Sequence, residues 1–188
     1  MPLITTRSNA SARGYGAFLA AAASTAFESI ATVSVGSGGQ ATAQFNSIPA
    51  TYKHLQVRVS QKAASAGDLE FRFNASTGND YTRHFLGGNG SSAFAGGSTS
   101  QANGYVGFNP SGTYFQGAII DILDYADTNK YTSVRSLLGT DSNGSGAIYL
   151  TSTLYLQNTA ITSIKFTHNA GNFSQYSHFA LYGIKGAA

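Results

Sequence analysis

Two segments with strict alternation decide the fold class: LQVRVS at residues 55–60 and LEFRFN at residues 69–74. In each segment an apolar side chain occupies every second position, and polar side chains fill the positions between. Successive side chains of a β-strand point to opposite faces of the sheet, so this pattern predicts half-buried strands. Burying each such side chain stabilises a fold by about 1.5–3 kcal/mol before chain entropy is counted.

Short apolar segments separated by turn signals continue on both sides of these two. They predict about eight to ten strands, packed as two antiparallel sheets. The expected fold class is therefore all-β: an antiparallel β-sandwich with a jelly-roll-like strand order, which closes many short strands without long exposed edges. The other predicted strands lie in residues 27–35, 41–48, 81–86, 117–125, 131–138, 147–156, 161–166 and 176–184.

Three stretches carry more detailed expectations. Residues 117–125 contain consecutive apolar residues, which predicts a strand in the middle of a sheet with both of its faces covered. Asn143-Gly144 favours a hairpin between the flanking apolar segments, with a loop longer than two residues. The Gly/Ser-rich residues 87–104 are predicted to form a functional or mobile loop.

The composition restricts the class of protein. The chain has 188 residues, of which 42% are hydrophobic and only 10% are charged, and its 11 Tyr and 12 Phe are too many for a disordered chain. It has no cysteine, which excludes disulfides and thiolate metal sites. The net charge of +3 is scattered, so we expect no nucleic-acid partner. No apolar run approaches the ~20 residues that span a bilayer, so we expect no membrane partner.

The N-terminal segment differs from the rest of the chain. Residues 1–26 contain two arginines, no acidic residue and no sustained periodicity. We interpret them as an extended anchoring arm, followed by a β-sandwich domain at residues 27–188. A frayed terminus is the alternative, and the alanine-rich residues 17–23 superficially resemble a signal peptide. The partner-binding residues expected in the arm are Leu3, Ile4, Arg7, Arg13, Tyr15 and Phe18.

Residues that could carry chemistry are isolated along the chain. The four histidines stand apart from one another, no Gly-x-Ser-x-Gly motif is present, and the motifs point to no cofactor. The segments Asp127-Thr128-Asn129 and Asp141-Ser142-Asn143-Gly144 favour turns over a calcium loop. We therefore predict no catalytic, metal-binding or cofactor-binding residues and no enzymatic activity. The histidines are His54, His84, His168 and His178.

Exposed aromatic residues are the remaining candidates for a binding site. An exposed tyrosine offers a flat apolar face together with a hydroxyl, which suits a sugar or a protein partner. Four aromatic residues follow the Gly-rich stretch and form the possible receptor or interface set, with ordinary sheet packing as the alternative. These residues are Tyr105, Phe108, Tyr114 and Phe115.

Six segments together resemble a family of virion proteins from tailed bacteriophages, including cyanophages. The likeness runs nearly from end to end of the chain. The segments are MPLITTR at 1–7, SARGYG at 11–16, PATYKHLQVR at 49–58, FRFN at 71–74, AIIDILDY at 118–125 and YSHFALYGIKG at 176–186.

The resemblance implies a place in a virion and supplies no catalytic residues. It implies a capsid decoration (cement) protein, or a small tail-fibre component, made in the host cytoplasm and typically a β-sandwich homotrimer. Its partners would be other copies of the chain and the major capsid protein. The arm favours decoration, because an extended segment can add backbone hydrogen bonds to a neighbour's sheet edge.

Two alternatives remain open. The same arm could insert into tail or baseplate proteins, and the Gly-rich stretch could recognise a host surface glycan, as in a receptor-binding tail protein. A carbohydrate-active enzyme on a jelly roll is the third class, because fold alone does not establish activity.

Overall fold

The computed structural model describes residues 26–110 and 112–186, in which twelve strands and no helix occur. All strand pairs are antiparallel. The strands are β1 (Phe27–Ser34), β2 (Thr42–Phe45), β3 (His54–Gln61), β4 (Gly67–Phe73), β5 (Tyr81–Gly88), β6 (Ala93–Gln101), β7 (Gly104–Asn109), β8 (Gln116–Leu123), β9 (Thr132–Asp141), β10 (Gly146–Tyr155), β11 (Ile164–His168) and β12 (His178–Ile184).

The strands form two sheets of unequal size. The larger sheet has the order β1-β12-β3-β8-β9-β10-β5-β6, and the smaller has the order β2-β11-β4-β7. A shared apolar core joins them, so the predicted all-β sandwich is confirmed. The jelly-roll-like connectivity stays a prediction. Strands β1 to β4 alternate between the two sheets, and the hairpins β5–β6 and β9–β10 widen the larger sheet.

The two alternating segments lie where their pattern predicts. In β3, Leu55 and Val57 are fully buried, and in β4 the apolar positions Leu69, Phe71 and Phe73 are at most 1% exposed. The intervening polar residues of β3 and β4 point away from the core. The apolar face of β3 therefore lies on the inner side of the larger sheet, and that of β4 lies on the inner side of the smaller sheet.

A bulge in the smaller sheet is held by hydroxyl groups from the larger one. The pairing of β4 with β7 skips Val106. The Val106 carbonyl instead accepts hydrogen bonds from Ser136 Oγ at 3.1 Å and Thr151 Oγ1 at 3.0 Å, and Thr153 Oγ1 donates to the Tyr105 carbonyl at 3.3 Å. Buried backbone groups need such partners, so polar residues line the inner face of β9 and β10 at this point.

The Gly/Ser-rich stretch is mostly strand, which corrects the prediction of a long loop. Residues 93–101 form β6, the edge strand of the larger sheet, and a short turn at Asn89-Gly90 joins β6 to β5. A Cβ at Gly87 would lie 2.1 Å from the Phe94 ring. Glycine is therefore required at Gly87 so that the Phe94 ring can lie across β5.

Strand β8 is central, as expected, but one of its faces is open. It is the fourth of eight strands, and Ala118, Ile120 and Ile122 are buried on its inner face. On its outer face Ile119 is 42% exposed. The expectation that both faces are covered is therefore wrong within the described part of the chain.

The predicted hairpin joins β9 to β10. Its strands end at Asp141 and Gly146, so the connection is longer than two residues, as expected. Asn143 and Gly144 form the tip, and both have positive φ angles, the sign that a type I′ turn requires. The Ser142 N–H donates to the Ser145 carbonyl at 2.6 Å and closes the turn.

Candidate interaction surface

Four exposed aliphatic side chains form a continuous row on the outer face of the larger sheet. Strand register places Ile119 of β8 beside Leu137 of β9, Leu137 beside Leu150 of β10, and Leu150 beside Leu86 of β5. Each of these residues is between 42% and 56% exposed. We call these four residues the aliphatic row. Cross-strand neighbours of this kind touch one another, so the row is one surface and not four separate side chains.

A ridge and a hollow lie next to the aliphatic row. Ile148 is 60% exposed and has glycine on both neighbouring strands, Gly139 on β9 and Gly88 on β5. Gly117 of β8 continues this line beyond Gly139. The absence of side chains at Gly117 and Gly139 leaves an open depression of about 630 Å³ against the Ile148 side chain. We call this depression the glycine hollow.

The hollow is not required by packing within the chain. A Cβ built on Gly117 would meet no atom within 4 Å, and one on Gly139 would meet only Ile148 Cγ1, at 3.9 Å. The φ angles of Gly117 and Gly139 are not positive, so the backbone does not require glycine at either position. A side chain would therefore fit at both positions, and the surface is open where it could have been filled.

A polar row runs on the other side of the aliphatic row. Gln56, Asp121, Arg135, Ser152 and His84 are consecutive cross-strand neighbours from β3 to β5. Gln56 Nε2 donates to Asp121 Oδ1 at 2.8 Å. Arg135 forms no ion pair with the residues that the structure describes. The polar row thus places the carboxylate of Asp121 and the guanidinium of Arg135 beside the apolar surface.

The end of the aliphatic row towards β1 is closed by an arginine. Arg58 of β3 is the register neighbour of Ile119. Its guanidinium lies 5.5 Å from the ring centre of Phe27 and 5.7 Å from that of Tyr182, and its Nε donates to Gln56 Oε1 at 3.1 Å. These cation–π contacts draw the guanidinium towards β1, while Arg58 also lines the edge of the glycine hollow beside Ile119.

Sequence reasoning missed this surface because both faces of β10 carry large apolar residues, and the inner face also carries Thr151 and Thr153. Tyr149 and Tyr155 point inwards, whereas Ile148 and Leu150 point outwards. Period-two alternation separates faces only when one of them is polar. The available signal was the apolar group at residues 118–120, followed after Asp121 by Ile122-Leu123, which predicted a second covered face. The described residues do not cover that face.

The four predicted aromatic residues do not form one exposed surface. Tyr105 is 5% exposed within the core, where its ring contacts Phe85 and Tyr149 and lies 4.3 Å from the Arg83 guanidinium. Phe108 packs against the core. For Tyr105 the packing alternative is therefore correct. Tyr114 and Phe115 are 42% and 39% exposed on the connection from β7 to β8.

The predicted arm residues lie outside the described part of the chain, which starts at residue 26. The Ala26 carbonyl accepts a hydrogen bond from the Lys185 backbone N–H at 2.9 Å. The chain thus enters the sandwich at β1, which is an edge strand of the larger sheet. The predicted residues concerned are Leu3, Ile4, Arg7, Arg13, Tyr15 and Phe18.

Acidic side chains of the described residues have structural partners. Asp127 Oδ1 accepts from the Asn129 N–H at 2.8 Å and Asp141 Oδ1 from the Asn143 N–H at 2.9 Å, so the predicted turns are confirmed. Asp124 pairs with Lys130 and Lys53, and these contacts lower its pKa to about 2.

Two half-buried carboxylates on β4 were not predicted as a pair. Asp68 and Glu70 share the outer face of the strand, and burial raises the pKa of both. Asn169 Nδ2 donates to Asp68 Oδ2 at 3.0 Å and Asn103 Nδ2 donates to Glu70 Oε2 at 2.8 Å. Both carboxylates therefore have amide partners that fix them on the strand.

Among the described residues, no histidine belongs to a group of three metal-ligating side chains, although His54 Nδ1 lies 3.6 Å from Asp124 Oδ1. Among residues 26–110 and 112–186, no group of three or more His, Cys, Asp or Glu side chains could hold a metal ion. His54 Nδ1 accepts from the Asp124 backbone N–H at 3.0 Å. His168 is 6% exposed, and burial lowers its pKa.

Comparison of the chain with protein-family models, with curated proteins and with solved structures finds no match. The described residues also contain no helix long and apolar enough to cross a membrane. The likeness to tailed-phage virion proteins thus stays an interpretation of the sequence segments that carry it.

Proposed function

We propose that the chain is a non-enzymatic structural protein of a bacteriophage virion, and specifically a capsid decoration protein. In this role the arm at residues 1–26 binds the major capsid protein, and the β-sandwich covers and stabilises the outside of the shell. The chain acts as a homotrimer or another cyclic homo-oligomer.

The observation that carries the proposal is the aliphatic row. Contiguous exposed apolar patches of more than a few hundred Å² are rare on monomeric proteins and mark sites of association. The row joins four strands, and Ile148 extends it along β10. In a large assembly, other subunits can bury such a face. On a free monomer the same face would stay exposed to water and would promote aggregation.

The position of the arm supports a second, separate contact. The described chain begins at Ala26 and enters the edge strand β1, and two strands, β12 and β3, separate β1 from β8 at the start of the aliphatic row. Strands are about 4.8 Å apart, so β1 lies roughly 14 Å across the sheet from β8. The residue of β1 in register with Ile119 is Thr32, and Ala26 lies six residues, about 20 Å, further along that strand. The arm can therefore bind the shell while the row contacts another partner.

A receptor-binding tail protein is the second candidate. Its supporting observation is the exposed pair Tyr114 and Phe115, which lies outside the aliphatic row. Aromatic faces of this kind suit stacking on a sugar ring. This candidate assigns the loop between β7 and β8 to a host surface glycan.

Copy number in purified virions tests both candidates. We would quantify the chain against the major capsid protein by mass spectrometry, with isotope-labelled full-length chain as the internal standard. A ratio close to one chain for each capsid protein supports decoration, and a few chains for each particle supports the tail. Particles without the chain would overturn both.

A further inference from the structure

We propose that the aliphatic row and the glycine hollow form a contact between copies of this chain. This inference rests on the proposed structural function, for which it names the partner of one surface. Three properties of the face favour this partner: its apolar content, its shape and its charges.

The face has the composition of an interface core. Its five aliphatic side chains are between 42% and 60% exposed, and no charged residue lies among them. The cores of protein interfaces are depleted of charge in this way, and charge is placed at the rim. Here the rim consists of Arg58 at one end and of the polar row along one side.

The shape of the face favours another copy as the partner. Each copy presents a ridge, Ile148, and beside it a hollow over Gly117 and Gly139. A contact that repeats the same patch on both subunits has to be complementary to itself. An aliphatic ridge next to a depression that no side chain of residues 26–110 and 112–186 fills meets that requirement, because the ridge of one copy can enter the hollow of the other.

Two of the rim charges, Asp121 and Arg135, are complementary to themselves, and the third, Arg58, contacts the rings of Phe27 and Tyr182. Asp121 and Arg135 are neighbours on β8 and β9, and Arg135 has no ion pair within the described part of the chain. A partner of a single charge sign would repel one of the two residues. A second copy brings both signs, so each charge can find its opposite across the contact.

Sedimentation equilibrium of the purified full-length chain at micromolar concentration tests the proposal. We expect the mass of a dimer or of another even-numbered oligomer, because a patch that is complementary to itself joins copies in pairs. Ile148→Ser removes the ridge, and Gly117→Val fills the hollow, so each variant should weaken self-association by at least about tenfold. Gly117→Val should leave the melting temperature unchanged or higher, because a Cβ at this position meets no atom within 4 Å.

Two matched variants act as controls outside the face. Tyr131→Ser removes another exposed apolar side chain, and Gly36→Val places the same branched side chain at a glycine in a loop, where a Cβ also meets nothing within 4 Å. Both controls should retain the mass of the unmodified chain.

A monomeric unmodified chain at about 100 μM, a concentration at which even weak specific contacts form, would overturn the proposal. An oligomer that both face variants leave intact would also overturn it. The outcome is independent of the virion measurement. If the chain is monomeric but abundant in virions, the proposed decoration function stands and the contact between copies is wrong. If the chain is oligomeric but absent from virions, the contact stands and the decoration function is wrong.

Discussion

Phe71 is held in the core by three other aromatic rings. Its ring centre lies 4.8 Å from that of Phe73, 5.8 Å from that of Tyr81 and 6.4 Å from that of Phe166. Its exposed fraction is 1%. The alternation of residues 69–74 alone predicts this burial, because period two assigns Phe71 to the same face as Leu69 and Phe73.

Phe71→Ala is expected to destabilise the fold by about 3–5 kcal/mol, since it removes buried aromatic surface and leaves a cavity that the rigid sandwich cannot close. Urea unfolding followed by circular dichroism measures this change. Phe115→Ala, at a 39% exposed ring, is the control and should cost much less. Equal unfolding midpoints for the two variants would contradict the role of Phe71 in the core.

Asp124 is a residue at which charge can be tested without a change of shape. Its φ angle is +49°, a conformation that Asn adopts as readily as Asp, so Asp124→Asn removes the charge and one acceptor oxygen without backbone strain. Its side chain is 17% exposed, whereas its partners Lys53 and Lys130 are 55% and 54% exposed. Solvent screening of the two lysines limits the expected loss to about 1–2 kcal/mol at pH 7.

The sign of the pH dependence follows from the lowered pKa of Asp124. The Lys130 and Lys53 contacts lower the pKa of the folded Asp124 carboxyl from its ordinary value of 3.8 to about 2, so its stabilising effect is complete above about pH 5 and is lost as the pH falls through 2. The stability difference between the native chain and Asp124→Asn should therefore shrink over this range. It should also shrink in about 1 M salt. A difference that is constant with pH would exclude the ion pairs as its cause.

At the scale of elements, the bulge in β7 joins the two sheets through hydroxyl groups. The Val106 carbonyl has two hydroxyl donors, Ser136 and Thr151, which are 3% and 2% exposed. These residues are polar although they lie on the inner face of the sheet. Their hydrogen bonds explain why the alternation of β9 and β10 is not a simple apolar pattern.

Thr151→Val should cost about 0.5–1.5 kcal/mol, because one hydrogen bond is lost while Ser136 still donates to the carbonyl. The double variant with Ser136→Ala leaves the buried carbonyl without a donor. It should lose more than the two single variants together, which a double-mutant cycle measured by urea unfolding can detect. Thr99→Val on the exposed face of β6 is the control, expected to stay within about 0.5 kcal/mol. Additive losses would mean that the two hydroxyls act separately.

The hairpin of β5 and β6 shows how glycine conceals a strand. Glycine has a low preference for strands, so residues 87–104 resemble a loop in sequence. In the structure, a Cβ at Gly96 would lie 2.6 Å from the Phe85 ring, just as one at Gly87 would meet Phe94. The aromatic side chain on each strand occupies the space beside a glycine on the other strand, and this packing is a tertiary contact that local propensity does not contain.

At the scale of the whole molecule, the sandwich and the arm are expected to have separable functions. Deletion of residues 1–25 should abolish incorporation into virions and leave the thermal unfolding of the sandwich unchanged. The deletion stops before Ala26 because its carbonyl accepts the hydrogen bond from Lys185. A chain whose residues 1–25 are replaced by a Gly/Ser segment of equal length is the control for length, and it should also fail to bind. Virions that still carry either variant would contradict the anchoring role of the arm.

The sequence by itself determined the fold class and the inward residues of β3 and β4, because period-two alternation is a local property that needs no partner strand. It also predicted the turn at Asn143-Gly144, since few other residues adopt positive φ angles easily. It did not determine which face of β8 and β10 is buried, because both faces are apolar there.

Only the tertiary structure produced the candidate interaction surface. Leu86, Ile119, Leu137 and Leu150 are far apart in the chain and become neighbours only when strand register places them in one line. Among the described residues, the smaller sheet covers the inner face of the larger one, and the aliphatic row on the outer face is exposed. Whether an apolar residue stabilises the core or forms a contact surface is therefore decided by sheet packing, which couples residues that no local pattern connects.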